Sequence, residues 1–227
     1  MQLQLYPIHP DLKAYVKLIC TMDCNEHTDT KHIHVLPDAC VELFISYTDT
    51  PVAIIDQQLH PKSIVNARMN APTAVQMRKG SGCVAICFQP GMAYPFFSIP
   101  MSALSNNSIA LNEIWGSTIT IIEEKLAHAN DNSARVDLIQ KHLLQLLQLA
   151  QQDLALTHCI RLIQQKPSEI RLAELQQMTG YGQRHLARKF NQHIGLPPKE
   201  YIKVNRFIGS LKHLKNQPEL SLTQIAY

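Results

Sequence analysis

The 227-residue chain is 45% hydrophobic and has 21 Lys and Arg against 18 Asp and Glu, a formal charge of +3. That apolar content suffices for one large core or two modest ones. The first twenty residues are interrupted by Gln, His, Pro, Asp and Lys, and the most apolar stretch, LLQLLQLA at 143–150, is short and broken by glutamine; neither a signal peptide nor a membrane partner is expected.

A cytoplasmic protein follows as the expectation, with Cys20, Cys24, Cys40, Cys83, Cys87 and Cys159 as free thiols. The N-terminal part reads as β-rich. VELFISY (41–47) and GCVAICF (82–88) are β-branched and aromatic runs bounded by Pro37-Asp38, Thr48-Asp49, Gly80-Ser81-Gly82 and Pro90-Gly91. TPVAIIDQ and the stretch 73–78 are further candidate strands, and a small barrel or sandwich would bury them. Pro37-Asp38 reads as a turn in which the Asp38 carboxylate bonds its own backbone.

From Ile114 the period changes. Val136, Ile139, Leu143, Leu146 and Ala150 recur at three- and four-residue steps, with Leu144 and Leu147 widening the apolar face. Such a helix can cover the β unit, pair with a second copy, or do both. QQKPSE (164–169) is a polar break, placed as a domain boundary there or just before the helix leading into it. The sole tryptophan, Trp115, is expected to anchor the β unit to the helices.

The charge is unevenly spread. Residues 161–217 carry eleven Lys or Arg and three Glu, whereas residues 1–160 carry ten basic and fourteen acidic side chains. A basic C-terminal block suggests a polyanionic partner. Within it, Leu172, Ala173, Leu175 and Met178 form one face of a short helix, and Gly180 can take the positive φ of a tight turn. In YGQRHLARKFNQHIGLPPKEYI (181–202), Leu186 and Phe190 share one face, while Arg184, Ala187, Arg188 and Asn191 cluster on the other.

That succession is what a helix-turn-helix requires. Arg184 and Arg188 could bond guanine bidentately, Asn191 could read adenine or hold a phosphate, and Gln183 and Lys189 would lie towards the DNA backbone. A following helix over 198–214 would bury Tyr201, Val204, Ile208 and Leu211, stopped by Asn216-Gln217-Pro218. Ser221 and Gln224 then open a fourth helix in a capping-box pattern.

RLAELQQMTGYGQRHLARKFNQHIGLPPKEYIKVNRF and SLTQIAY resemble the C-terminal DNA-binding region of AraC-type (AraC/XylS family) transcriptional regulators: the first helix-turn-helix, the linker helix, and the opening of the second unit. VLPDACVELFISY and CFQPGMAYPFFSIPMSALSNNSIALNEIWG resemble the β-rich sensor domain of one branch of that family. The resemblance implies an α+β regulator with a β-rich N-terminal sensor barrel or sandwich (1–113), a helical linker for dimerisation (114–165), and an all-α helix-turn-helix domain (166–227), incomplete because the second reading helix would begin after Tyr227.

It implies double-stranded operator DNA and an unidentified small-molecule effector as partners, a homodimer, no cofactor and no catalytic activity. Base contacts fall on Arg184, Ala187 and Arg188, of which Ala187 can offer a thymine only its methyl. With half the reading surface, weak operator binding with a shallow salt dependence is expected.

Three alternatives remain. The chain could be an interaction module that dimerises with a full-length regulator without binding DNA itself. It could be a thiol- or zinc-based sensor, since His32 and His34, Cys83 and Cys87, and Cys20 and Cys24 share spacings that place each pair on one strand face. A zinc-bearing DNA-repair regulator is the enzyme-class rival, but its cysteine pairing is not evident. His34, Asp38 and Glu42 lack a nucleophile motif or phosphate loop beside them. No metal site is assigned, and no residue is assigned to the effector.

Overall fold

A computed structural model describes residues 1–68, 70–151 and 153–216 of the chain. The architecture is α+β. Ten strands come first: β1 (Gln2–Leu5), β2 (Val16–Asp23), β3 (Ile33–Val35), β4 (Cys40–Ser46), β5 (Ala53–Ile55), β6 (Gln58–His60), β7 (Ile64–Arg68), β8 (Thr73–Met77), β9 (Gly82–Phe88) and β10 (Ser108–Ala110). They form a six-stranded sheet in the order β1-β2-β9-β4-β7-β10 and a four-stranded sheet β3-β8-β5-β6. Neighbouring strands are antiparallel throughout.

All seven residues of β9 are buried, which explains why GCVAICF reads as a continuous apolar run rather than an alternating one. Its two faces serve different cores. Cys83 and Ala85 face the space between the sheets with Phe44, Ile64, Val75 and Met77. Val84, Ile86 and Phe88, with Leu43, Ile45 and Val65, face the helices. The Asp38 turn is present, with Asp38 Oδ1 accepting from Cys40 N at 3.0 Å.

The helices follow: α1 (Asn112–Trp115), α2 (Ser117–Ala127), α3 (Asn132–Leu149), α4 (Leu154–Gln165), α5 (Leu172–Thr179), α6 (Gln183–His193) and α7 (Pro198–Asn216). α3 buries Val136, Ile139 and Leu143 against the β unit. Leu144, Leu146 and Leu147 are half-buried beside them, and Leu138 and Leu149 are exposed. Trp115 ties the two layers together: Nε1 donates to Phe96 O at 3.1 Å, and the ring meets His142 of α3 at 4.9 Å.

The polar stretch 164–169 begins as the last residues of α4, and a further break separates α3 from α4. There Asp153 caps α4 by accepting from Leu156 N at 3.0 Å. α4 packs on α5 and α7, and Gln164 Nε2 donates to Pro90 O of the β unit at 2.7 Å.

Two expected apolar faces differ from those observed. In α5 Leu175 is fully buried and Leu172 half-buried against the core, while Ala173 and Met178 are exposed, so the covered stripe is narrower than expected. In α7 the buried residues are Pro198, Tyr201, Ile202, Val204 and Asn205, and Ile208 and Leu211 are only partly covered. The buried stripe ends where α4 and α6 no longer lie alongside. The helix expected to open at Ser221 lies outside the described residues.

Candidate functional site

α5 ends at Gly180, whose φ of 69° lets the chain turn directly into α6. Glu174 steadies the start of α5 by accepting from Arg171 N at 3.2 Å. In α6, Leu186 and Phe190 have no exposed surface, and the Phe190 ring meets Tyr201 of α7 edge-on at 6.1 Å. With that stripe anchored, a rotation of 100° per residue turns Gln183, Arg184, Arg188 and Asn191 outwards, and all four are exposed. Ala187 is half-buried.

Neither Arg184 nor Arg188 is paired with a carboxylate among the described residues. Both line a shallow, open groove of about 580 Å³ with Ala187, Asn191 and Gln192, and its opposite wall is Pro100 and Ser102 of the β unit. Two guanidinium forks beside a carboxamide can bond base edges or phosphates.

Lys189 is engaged elsewhere. Its Nζ lies 2.8 Å from Asp153 Oδ2 at the start of α4, an ion pair. Burial alone would raise the Asp153 pKa, but contact with Lys189, the Leu156 amide and the nearby charges outweigh it and hold the carboxyl below its ordinary value. The adjacent His193 packs its ring on Tyr94 at 4.6 Å. Burial and the Lys189 charge push His193 down despite the pull of Asp153, so its imidazole is neutral near pH 7.

Past the end of α6, Gly195 O accepts from Ser105 Oγ at 2.7 Å. A Cβ on Gly195 would come within 2.8 Å of Met101 O. α6 is thus fixed to the β unit by a ring contact, a hydroxyl bond and one close backbone approach, and to the start of α4 by an ion pair. None of these partners is visible from helical periodicity, because each lies far away in sequence.

Between the sheets lies a cavity of about 210 Å³ lined by Leu18, Cys20, Met22, Glu42, Phe44, Val75, Met77 and Cys87 among others. The two-residue repeat of an extended strand already put Cys83 and Cys87 of GCVAICF on one face, though it could not show that this face encloses space. Burial, with Glu42 and Cys87 nearby, pushes Cys20 up to about 11, and burial likewise raises Cys83. Both are therefore neutral thiols near pH 7, a form that is a poor nucleophile and metal ligand. His32 and His34 are exposed, and among the described residues no group of three or more His, Cys, Asp or Glu could hold a metal ion. No helix among the described residues is long and apolar enough to cross a membrane.

Residues 4–110 match the family model described as a domain of unknown function, DUF6597. No curated protein matches the chain. Solved structures of ToxT from Vibrio cholerae are similar to it. One crystal form shares 12% identity at a TM-score of 0.42, covering 100% of this chain and 88% of that one. The unsaturated fatty acid bound wild-type protein of strain SCE256 shares 11% identity at a TM-score of 0.40, covering 92% of this chain and 84% of that one.

Proposed function

We propose that this chain is a sequence-specific DNA-binding transcriptional regulator of the AraC type, with α5 and α6 as a helix-turn-helix and α6 as the helix that enters the major groove. The observation that carries the reading is the division of α6: Leu186 and Phe190 fully buried, with Arg184, Arg188 and Asn191 on its exposed side. Arg184 and Arg188 read base edges, Asn191 supplies a further base or phosphate contact, Ala187 offers its methyl group, and Gln183 touches the backbone. Lys189 reaches a phosphate only by leaving Asp153. The β unit senses a small-molecule effector, and α3, with its exposed Leu138 and half-covered leucines, pairs with a second copy.

On this reading a duplex docked along α6 meets Pro100 and Ser102 at the other wall of the groove, so full insertion requires the 100–105 segment to withdraw. The test is selection of bound duplexes from a random pool by the full chain. Enrichment of one sequence, with Arg184→Ala and Arg188→Ala each relaxing the preference at one position by about 1–3 kcal/mol, supports the proposal. Retention without sequence preference, or variants that leave every preference intact, contradicts it.

A further inference from the structure

Sulfur is concentrated on the walls of the cavity between the two sheets. The larger sheet contributes Cys20 and Met22 from β2 and Cys87 from β9, and the smaller sheet contributes Met77 from β8. Strand geometry explains the convergence. Cys20 and Met22 stand two residues apart on β2 and so point to one face. In the pairing of β2 with β9, Leu18 lies opposite Cys87 and Cys20 opposite Ala85, which makes Cys20 a diagonal neighbour of Cys87, at about 7–8 Å between backbones. Met77 packs from the opposite sheet into the same cluster as Cys20. Cys20 is therefore the sulfur around which the other three gather. Leu3 and Ile33, which also line the space, are 51% and 42% exposed, so it opens to solvent beside them.

The walls narrow the choice of occupant. Among the described lining residues there is no Lys, Arg or His, so an anion meets no positive charge, and Glu42 is the one acidic group. A structural zinc ion takes four ligands from thiolate, imidazole and carboxylate, and among the described residues no group of three or more His, Cys, Asp or Glu could hold a metal ion. Thioethers stand outside that set. Together with thiols they are the soft donors that select Cu(I). Charge points the same way: an ion in an apolar space is costly unless neutralised, and a monovalent ion needs only one thiolate.

We propose that this cavity binds a soft monovalent metal ion of the Cu(I) class on the sulfurs of Cys20, Cys87, Met22 and Met77. Burial keeps the Cys20 thiol protonated in the free chain. The ion replaces that proton, which leaves to solvent: one S–H bond breaks, one metal–sulfur bond forms, and no electron is exchanged. Cys87 and the two thioethers add lone pairs. Binding needs no DNA, and the inference rests on the sensor reading only for the use the chain makes of the ion.

The test titrates the reduced chain, without DNA, with Ag(I), a redox-inert probe of the same class, and follows the methionine methyl groups by ¹³C NMR. One equivalent should shift Met22 and Met77 and leave unmoved Met92 and Met101, which are buried in the helix-facing core. Cys20→Ala should abolish the shifts in protein whose circular dichroism is unchanged. Met77→Leu, close in volume, should weaken binding several-fold. Cys159→Ala removes a buried thiol from α4 and should leave the titration as it was. Zn(II) at equal concentration should move neither methyl group.

No shift at Met22 and Met77, a response confined to exposed Met178, binding that survives both Cys20→Ala and Met77→Leu, or an equal response to Zn(II) would each overturn the proposal. A chain that fails to bind an operator can still pass, and one that binds an operator can still fail.

Discussion

Gly180 and Gly195 both adopt left-handed backbone, at φ of 69° and 89°, yet their surroundings differ. Nothing lies within 4 Å of a Cβ built on Gly180, whereas one on Gly195 meets Met101 O and Ser105 Oγ at 2.8 Å each. Gly180→Ala should therefore cost only backbone strain, about 1 kcal/mol. Gly195→Ala adds a clash against backbone that cannot swing aside, and its loss should exceed that of Gly180→Ala, at roughly 2–4 kcal/mol. Denaturant midpoints of the two variants decide the matter, and equal losses would mean that the 100–105 segment yields freely. At the same scale, Phe190→Ala should cost about 3–5 kcal/mol because the ring is fully buried.

Among the elements, legibility followed period and length. The register of α6 could be read because Leu186 and Phe190 stand one turn apart and only that face is covered. β4 and β9 were equally plain as apolar runs. β2 was not, because a register shift between Val16 and Leu18 interrupts the alternation that marks a strand. β3, β6 and β10 have three residues each, too few to show any period, whereas β5, equally short, lies inside the apolar run TPVAIIDQ that marked a candidate strand.

The engagement of Lys189 could not be foreseen either, since Asp153 lies beyond two intervening helices, α4 and α5, in the sequence. Asp153 has two tasks, capping α4 and pairing with Lys189. Asp153→Ala should cost about 1–2 kcal/mol. Asp153→Asn keeps the cap acceptor and should cost less than half as much; parity between the two in thermal unfolding would show that the ion pair, not the cap, matters. Ser105→Ala, which removes the hydroxyl bond to Gly195, should lower the melting temperature and raise DNA affinity. A lower melting temperature with unchanged affinity would uncouple this seam from DNA entry.

For the molecule as a whole, three histidines sit at three different joints: buried His60 at the edge of the β unit, half-buried His142 against Trp115, and half-buried His193 on Tyr94. Burial lowers all three, aided by Lys125 at His142 and by Lys189 at His193. Below a pKa of about 6.5 the unfolded chain binds more protons at these sites than the folded one, so stability rises with pH there. Stability should be complete above about pH 6.5 and decline as the pH falls towards the lower folded values, whereas Asp153, held below its ordinary value, adds a loss only in stronger acid. A stability profile flat from pH 7.5 to 5, as approximate bounds of that window, would contradict the neutral, desolvated placement of the imidazoles.

The claim on which the functional account depends is that the outward face of α6, rather than positive charge in general, recognises DNA. It is tested most directly by comparing two double variants of equal charge loss, Arg184→Ala/Arg188→Ala on α6 and Lys203→Ala/Lys212→Ala on α7, for binding to the selected duplex and to a scrambled one. The account predicts that the α6 variant loses the difference between the two duplexes, while the α7 variant weakens binding to both alike and keeps that difference. An α6 variant that still distinguishes the duplexes as well as the parent chain would contradict it.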